Sequence, residues 1–303
     1  MERTGTGRAF ARVALAGNPS DGYGGRTLAV VVRDFAATAT ATPSASGEDE
    51  LAPPGPGGAE LMHATLGRFR THIGKFDPVV LTCQTNVPRE VGLAGSSAIV
   101  IACARALCDL HGVELEQEEL AGLALAVESE DLGIAAGLQD RMVQAREALV
   151  AMDFGGHPVY EELDPQLLPD LFVAWHPDAA APSGVAHGEL RERHERGEVE
   201  VIAVMARLAD HAARARDALL TEDHATFARC MDASFDERLK IMSVDPLTAR
   251  MVETARATGA SANSAGSGGA IVGTLPSEEC WKRLSQALSR MGAESVRPQT
   301  GND

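Results

Sequence analysis

Apolar residues run almost unbroken through two short β-rich stretches, 12–16 and 27–32, on either side of the turn-rich GNPSDGYGG. They read as two strands joined through a loop. From 36 to about 60 the chain passes through Ala/Thr/Ser, then acidic residues, then PPGPGG. With little to bury, this stretch is expected to be a mobile loop. Residues 61–73 read as a helix and 78–85 as a strand. A loop over 86–93 then feeds a helix over about 95–110, whose Ile99, Val100, Ile101, Cys103, Leu107 and Leu110 are too dense for a surface helix. The density predicts burial on most sides. Helices follow over 117–128 and from GIAAGLQDRMVQA, with strands at 149–154 and 171–175. A charged loop is expected over 183–200, then Ala/Arg/Leu-rich helices to about 257. The Gly/Ser-rich SANSAGSGGAIVGTLP leads into a strand, and 277–291 closes the chain as a helix. Strands and helices mixed without strict alternation predict an α+β fold. The turn-rich Gly155-Gly156-His157-Pro158 marks the expected boundary between domains 1–156 and 157–303.

An apolar share of 45% over 303 residues supplies ample core material. The formal net charge of −16 argues against a nucleic acid or an anionic membrane as partner, since both require clustered Lys and Arg. Cys83, Cys103, Cys108, Cys230 and Cys280 are dispersed and odd in number, the pattern of buried free thiols in a reducing compartment. No apolar run is long enough to span a bilayer, and the first residues lack the charged-then-apolar order of a signal peptide. A cytoplasmic location is expected. The histidines, His187 and His194 among them, show no i, i+4 pair and do not suggest a metal site.

Chemistry concentrates in three places. GLAGSSA, residues 92–98, puts flexible backbone and two hydroxyls immediately before a buried helix. A helix N-terminus carries unsatisfied N–H groups and partial positive charge, so the segment suits a phosphate. It also suits an ordinary Ser-capped helix. It is not the common P-loop, because no Lys follows the glycines. SAGSGGA repeats the device at 264–270, where a tight turn into a strand is the alternative. GLQD places Asp140 in the first turns of a helix, with small residues clearing space beside it; a solvated pair with Arg141 or Gln144 is the other reading.

Taken together and in this order, ARVALAGNPSDGYGG, VPREVGLAGSSA, GLQD and SAGSGGA resemble the GHMP kinase superfamily. The resemblance runs over roughly 12–274 and is nearest to its plant-type glucuronate 1-kinase branch. It implies a two-domain α+β fold, with an N-terminal ribosomal-protein-like domain bearing the phosphate loop and a C-terminal ferredoxin-like domain. The activity it implies is ATP-dependent phosphorylation of a sugar at its anomeric hydroxyl. The alternatives are another sugar, uronate or small alcohol as acceptor, or a non-catalytic binding relative. By the same resemblance Asp140 is the catalytic carboxylate and Arg12 its basic partner. Gly92, Leu93, Ala94, Gly95, Ser96, Ser97 and Ala98 hold the ATP phosphates. Ser97 and Glu128 bind Mg2+, with Glu130 as the alternative carboxylate. Asp21, Asn18, Ser20, Gly266, Ser267 and Gly268 face the sugar. The expected partners are ATP and a small sugar. A uronate would need a cation, for which Arg26, Arg89 and Arg141 are candidates. Two departures stand out. Asn18 and Pro19 replace the usual Glu-His pair, and Ala145-Arg146-Glu147-Ala148 replaces a Tyr-Gly-Gly turn.

Overall fold

Two glycines near the start of the first strand, β1 (Gly5–Ala16), decide how closely it meets the helix α2 (Gly95–His111). A Cβ at Gly5 would lie 2.1 Å from the Ala106 carbonyl oxygen, and one at Gly7 2.1 Å from that of Ala102. Strand and helix therefore touch backbone to backbone, as only glycine permits. The Asp109 carboxylate accepts from the Thr6 amide at 2.7 Å and fixes the register. Ten residues of α2 between Ala98 and Leu110 are buried, as their apolar density predicts.

The computed structural model describes residues 3–179 and 184–301, and for 184–187 the backbone alone. They are mixed helix and sheet, as expected, and packing divides them into two units. The first holds residues up to Ala11, Arg33–Val87 and Ala94–Glu147; the second holds Arg12–Val32, Pro88–Leu93 and the chain from Ala148 onward. The expected boundary near 156 thus falls inside the second unit, in the turn between β5 (Leu149–Asp153) and β6 (Val159–Leu163).

In the first unit, the far half of β2 (Arg26–Pro43) pairs antiparallel with β4 (Val79–Thr85), from Ala37 opposite Thr85 to Pro43 opposite Val79. The short β3 (Glu50–Ala52) adds in parallel to β4. Residues 36–43 are thus strand rather than the mobile loop expected there. The ATATAT repeat has a period of two: Ala37, Ala39 and Ala41 are buried, while Thr38 and Thr40 face outward. Asp49 anchors the following turn, accepting from Arg70 and from the Val79 amide at 3.0 Å. The helices α1 (Gly58–Ile73), α2, α3 (Gln117–Ala126) and α4 (Leu138–Arg146) complete the unit.

At the end of α2, His111 lies 4.2 Å from the Phe76 ring, and its buried Nε2 has no hydrogen-bond partner. Burial, then the charges of Arg3 and Arg70, lower its pKa below 6.5. The unfolded chain therefore binds a proton that the folded chain refuses, so this contribution is lost as pH falls below the unfolded value. Urea midpoints at about pH 7.5 and 5.5 check this. Wild type is expected to lose up to about 1.4 kcal/mol more than His111→Leu over that interval.

In the second unit, β2 pairs with β5 through Arg26–Val30, and β5 with β6. A second, antiparallel sheet runs β10-β7-β9-β8: β7 is Leu171–Trp175, β8 Asn263–Ser264, β9 Ala270–Thr274 and β10 Glu294–Val296. Its core gathers Phe172, Ile271, Met251, Leu284 and Leu288. Helices α5 (Gly184–Glu195), α6 (Val199–Leu220), α7 (His224–Arg238), α8 (Pro246–Ala257) and α9 (Glu278–Arg290) belong to it. The charged loop expected over 183–200 is instead largely α5; Ser183 and the His187 side chain lie outside the described residues. Its backbone makes helix because ELRERHE, residues 189–195, holds neither Gly nor Pro and is rich in Glu and Arg, which lose little freedom there. No helix among the described residues is long and apolar enough to cross a membrane.

Candidate active site

The first unit gathers its chemistry at the start of α2. Ala94, at φ +59°, precedes the helix in the left-handed region and offers no side-chain cap. The helix therefore opens with amides that no cap engages. Neither serine caps it. The Ser97 hydroxyl, fully buried, donates to the Ala94 carbonyl at 3.2 Å, and Ser96 donates to Glu128 Oε1 at 2.6 Å.

Glu128 reaches this position because α3 gives way to a π-turn over Val127–Asp131. The wider turn shifts the helical phase. Glu128 points inward and is fully buried, while Glu130 points out and pairs with Arg68 at 3.0 Å. On α4, Arg141 donates through Nε to Glu128 Oε2 at 2.7 Å and through Nη2 to the same oxygen. Its Nη1 donates to the Gly137 carbonyl at 2.8 Å and lies 3.5 Å from Asp140 Oδ2. Gln139 Nε2 donates to Asp140 Oδ1 at 3.2 Å. One turn on, Gln144 donates to the carbonyls of Phe10 at 2.8 Å and Ala94 at 2.9 Å, tying α4 to the entry of α2. Ser96, Glu128, Arg141 and Asp140 thus form one chain of contacts.

In the second unit three loops meet around two buried guanidinium groups. Arg12, on β1, donates through Nη1 to the carbonyls of Gly92 at 2.7 Å and Ala265 at 2.9 Å. A Cβ at Gly266 would lie 2.2 Å from the Gly92 oxygen and 2.8 Å from Arg12 Nη1, so the turn there requires glycine. Arg238, the last residue of α7, donates through Nη1 to Gly266 O at 2.9 Å and Asn18 Oδ1 at 3.2 Å. Asp21, half-buried on the 3-10 turn Ser20–Tyr23, is close enough for its charge to act on Arg238. Ser267 and Gly268, in the turn before β9, are partly exposed.

The GHMP kinases N-terminal domain matches residues 60–147, the stretch that carries Glu128, Asp140 and the start of α2. Two Arabidopsis thaliana proteins are similar over nearly the whole chain. Glucuronokinase 1 is 32% identical over 96% of this chain and 90% of its own length, and probable glucuronokinase 2 is 34% identical over the same shares. The chain belongs to the GHMP kinases. It is a sugar kinase, a phosphotransferase with an alcohol group as acceptor, in a family whose phosphate donor is ATP. The fold agrees: the Lactococcus lactis galactokinase crystallised with galactose superposes with a TM-score of 0.83 at 16% identity, covering 99% of this chain and 94% of that one.

Each unit of this GHMP kinase brings together part of the expected site. Ala94–Ala98, Glu128 and Asp140 lie in the first; Arg12, Asn18, Asp21, Gly92, Leu93 and Gly266–Gly268 lie in the second. Three expectations change. Ser96, not Ser97, is the hydroxyl beside Glu128. Ser20 is fully buried and donates to the Arg26 carbonyl at 2.8 Å, bracing the turn rather than facing outward. Of the cations considered for a uronate, Arg141 is committed to Glu128 and Arg26 to Asp153 at 2.7 Å, while Arg89 is exposed beside Glu90. The altered turn at 145–148 is the C-cap of α4. There Glu147 takes φ +53° and its carboxylate pairs with Arg105 and Arg33, contacts that offset the strain glycine would avoid. Sequence reasoning weighed Gln144 only as a solvated partner of Asp140, whereas it is buried and ties α4 to the entry of α2, and it missed Arg238.

Proposed function

We propose that this kinase transfers the γ-phosphoryl group of ATP to the anomeric hydroxyl of D-glucuronate, releasing ADP and glucuronate 1-phosphate. The observation that carries this reading is the similarity to two glucuronokinases over 96% of the chain. The open amides at the start of α2 suit the nucleotide phosphates, because they combine N–H donors with the positive end of the helix dipole. Asp140 is the group that orients the sugar hydroxyl and takes its proton as the oxygen attacks phosphorus, while the bond to the ADP oxygen breaks. Arg12 supplies positive charge for the transferring phosphoryl group. Asn18 and Asp21 offer an amide and a carboxylate to sugar hydroxyls.

Mg2+ suits the donors present. Glu128 Oε1 and the Ser96 hydroxyl are hard oxygen ligands already in contact. Among the described residues no group of three His, Cys, Asp or Glu could hold a metal, so phosphates and water would complete its shell, as magnesium prefers. When bound, the ion neutralises charge on the phosphate oxygens. Glu128 and Ser96 are the residues that would hold it, with Ser97 one position on.

The test is ADP release with magnesium-ATP against glucuronate, galacturonate, glucose and galactose. Turnover is expected to be highest on glucuronate. Preference for a neutral sugar would overturn the uronate assignment, and silence on the whole panel would overturn the acceptor class.

A further inference from the structure

Arg238 occupies a position that a cation has little reason to fill. The buried residues of α7 are Phe227, Cys230, Met231, Ser234, Phe235 and Arg238, spaced as the inner stripe of an amphipathic helix. Its charged neighbours in the FDERLK run each have a counterion: Glu237 pairs with Lys240 at 2.7 Å and Arg207 at 2.8 Å, and Asp236 with Arg256 at 2.7 Å. Arg238 instead turns inward and is 2% exposed. Burial, reinforced by the charge of Arg12 and opposed by that of Asp21, pulls its pKa down to about 10, still well above neutrality. The group is a buried cation at working pH.

Such a charge normally has a carboxylate on it, because an unpaired buried ion is costly. Among the described residues no carboxylate lies within ion-pair distance of Arg238. Nη1 spends its hydrogens on Gly266 O and Asn18 Oδ1, both neutral acceptors. Nε is buried with no partner, and Nη2 makes no hydrogen bond among the described residues. The Nε–Nη2 edge is the side of a guanidinium that matches a carboxylate with two parallel donors. Arg216 shows that mode in the same chain, where its Nε and Nη2 reach the two oxygens of Glu161 at 2.6 and 2.9 Å. Among the described residues no acceptor sits on the equivalent edge of Arg238, which lies beside an asparagine and a glycine turn that are candidates for the sugar.

We propose that Arg238 is the cation that receives the carboxylate of a sugar-acid acceptor, through its Nε–Nη2 edge. The proposal rests on the uronate reading above and names the residue that makes the site selective for an acid. Asn18 and the Gly266 carbonyl hold the guanidinium plane through Nη1 and leave that edge to the ligand.

The test compares kcat/KM for glucuronate and for its neutral amide, glucuronamide, in wild type, Arg238→Gln and Arg238→Lys, with the KM for ATP measured alongside. Wild type is expected to favour the acid. Arg238→Gln is expected to lose on the order of 10²-fold on glucuronate through KM, with the amide and the KM for ATP unchanged. Arg238→Lys keeps the charge but lacks the fork, and is expected to lose about tenfold. It also reads the same ratio if the glutamine variant fails to fold. Equal losses on acid and amide would mean a structural role and overturn the proposal. A raised KM for ATP with unchanged acid selectivity would assign the guanidinium to the nucleotide and overturn it too. A wild type that does not distinguish acid from amide would remove the uronate reading and this proposal with it. A wild type that does, with variants that still do, would overturn the proposal alone.

Discussion

Asp140→Asn is expected to lower kcat by about 10²–10⁴-fold, the range that a positioned proton acceptor contributes. The substitution keeps the shape of the side chain and removes its negative charge and with it the capacity to accept a proton. Its setting makes that separation clean. Gln139 Nε2 and Arg141 Nη1 address the two oxygens of Asp140 at 3.2 and 3.5 Å, contacts long enough for an amide to take their place. Arg141 stays anchored by Glu128 and by the Gly137 carbonyl, so the start of α4 does not depend on the charge of Asp140. The melting temperature and the KM for ATP are therefore expected to hold while turnover collapses. Steady-state kinetics with glucuronate and a thermal melt decide it. Turnover within tenfold of wild type would mean that Asp140 positions the hydroxyl without taking its proton, or does neither.

How far the site could be read before the fold was known depended on whether local pattern carried the phase. The entry to α2 was legible because glycine, serine and a dense apolar run leave few alternatives. The place of Asp140 in the first turn of α4 was legible because GLQD opens a helical run, while its role came only from the resemblance to GHMP kinases. Glu128 and Glu130 could not be separated, since ESED offers a carboxylate at either phase and only the π-turn over Val127–Asp131 turns one inward. The choice between Ser96 and Ser97 turned on the same quantity, the rotation of a helix start about its axis. The far half of β2 was missed because alternating Ala and Thr scores as low complexity, although a buried methyl opposite an outward β-branched residue is a strand pattern. Arg238 hid inside a charged run whose other members are paired with opposite charges. Gly5 and Gly7 gave no sign that α2 lies against them, because close approach is a property of two segments about a hundred residues apart. Each of these misses is a fact about tertiary phase or contact, which a single stretch of sequence does not contain.

Removing Glu128 is expected to be the most destabilising single change in the first unit. The pair it forms with Arg141 is shut away from solvent, the glutamate side chain at 0% exposure and the arginine at 5%. In Glu128→Ala the guanidinium keeps its burial, the Gly137 carbonyl and the distant edge of Asp140, but loses its counterion. Breaking a buried pair from one side costs about 3–5 kcal/mol, because the remaining charge is left uncompensated. In a chain of this size the loss is expected to lower the melting temperature by roughly 10 °C. Taking out both partners is a different experiment. Glu128→Leu with Arg141→Met replaces two ions by apolar side chains of similar reach, and desolvation no longer has to be offset. The double variant is expected to regain most of the stability, so the two substitutions are strongly non-additive. Activity separates the two tasks given to Glu128. If the pair serves packing alone, the double variant recovers turnover together with its melting temperature. If Glu128 also supplies an oxygen to the metal beside Ser96, the double variant melts like wild type and remains a poor kinase. Glu128→Gln, which keeps one acceptor oxygen, then needs more magnesium to reach half its maximal rate. A double variant that is both stable and fully active would remove Glu128 from the chemistry and leave it the keel on which Asp140 is set.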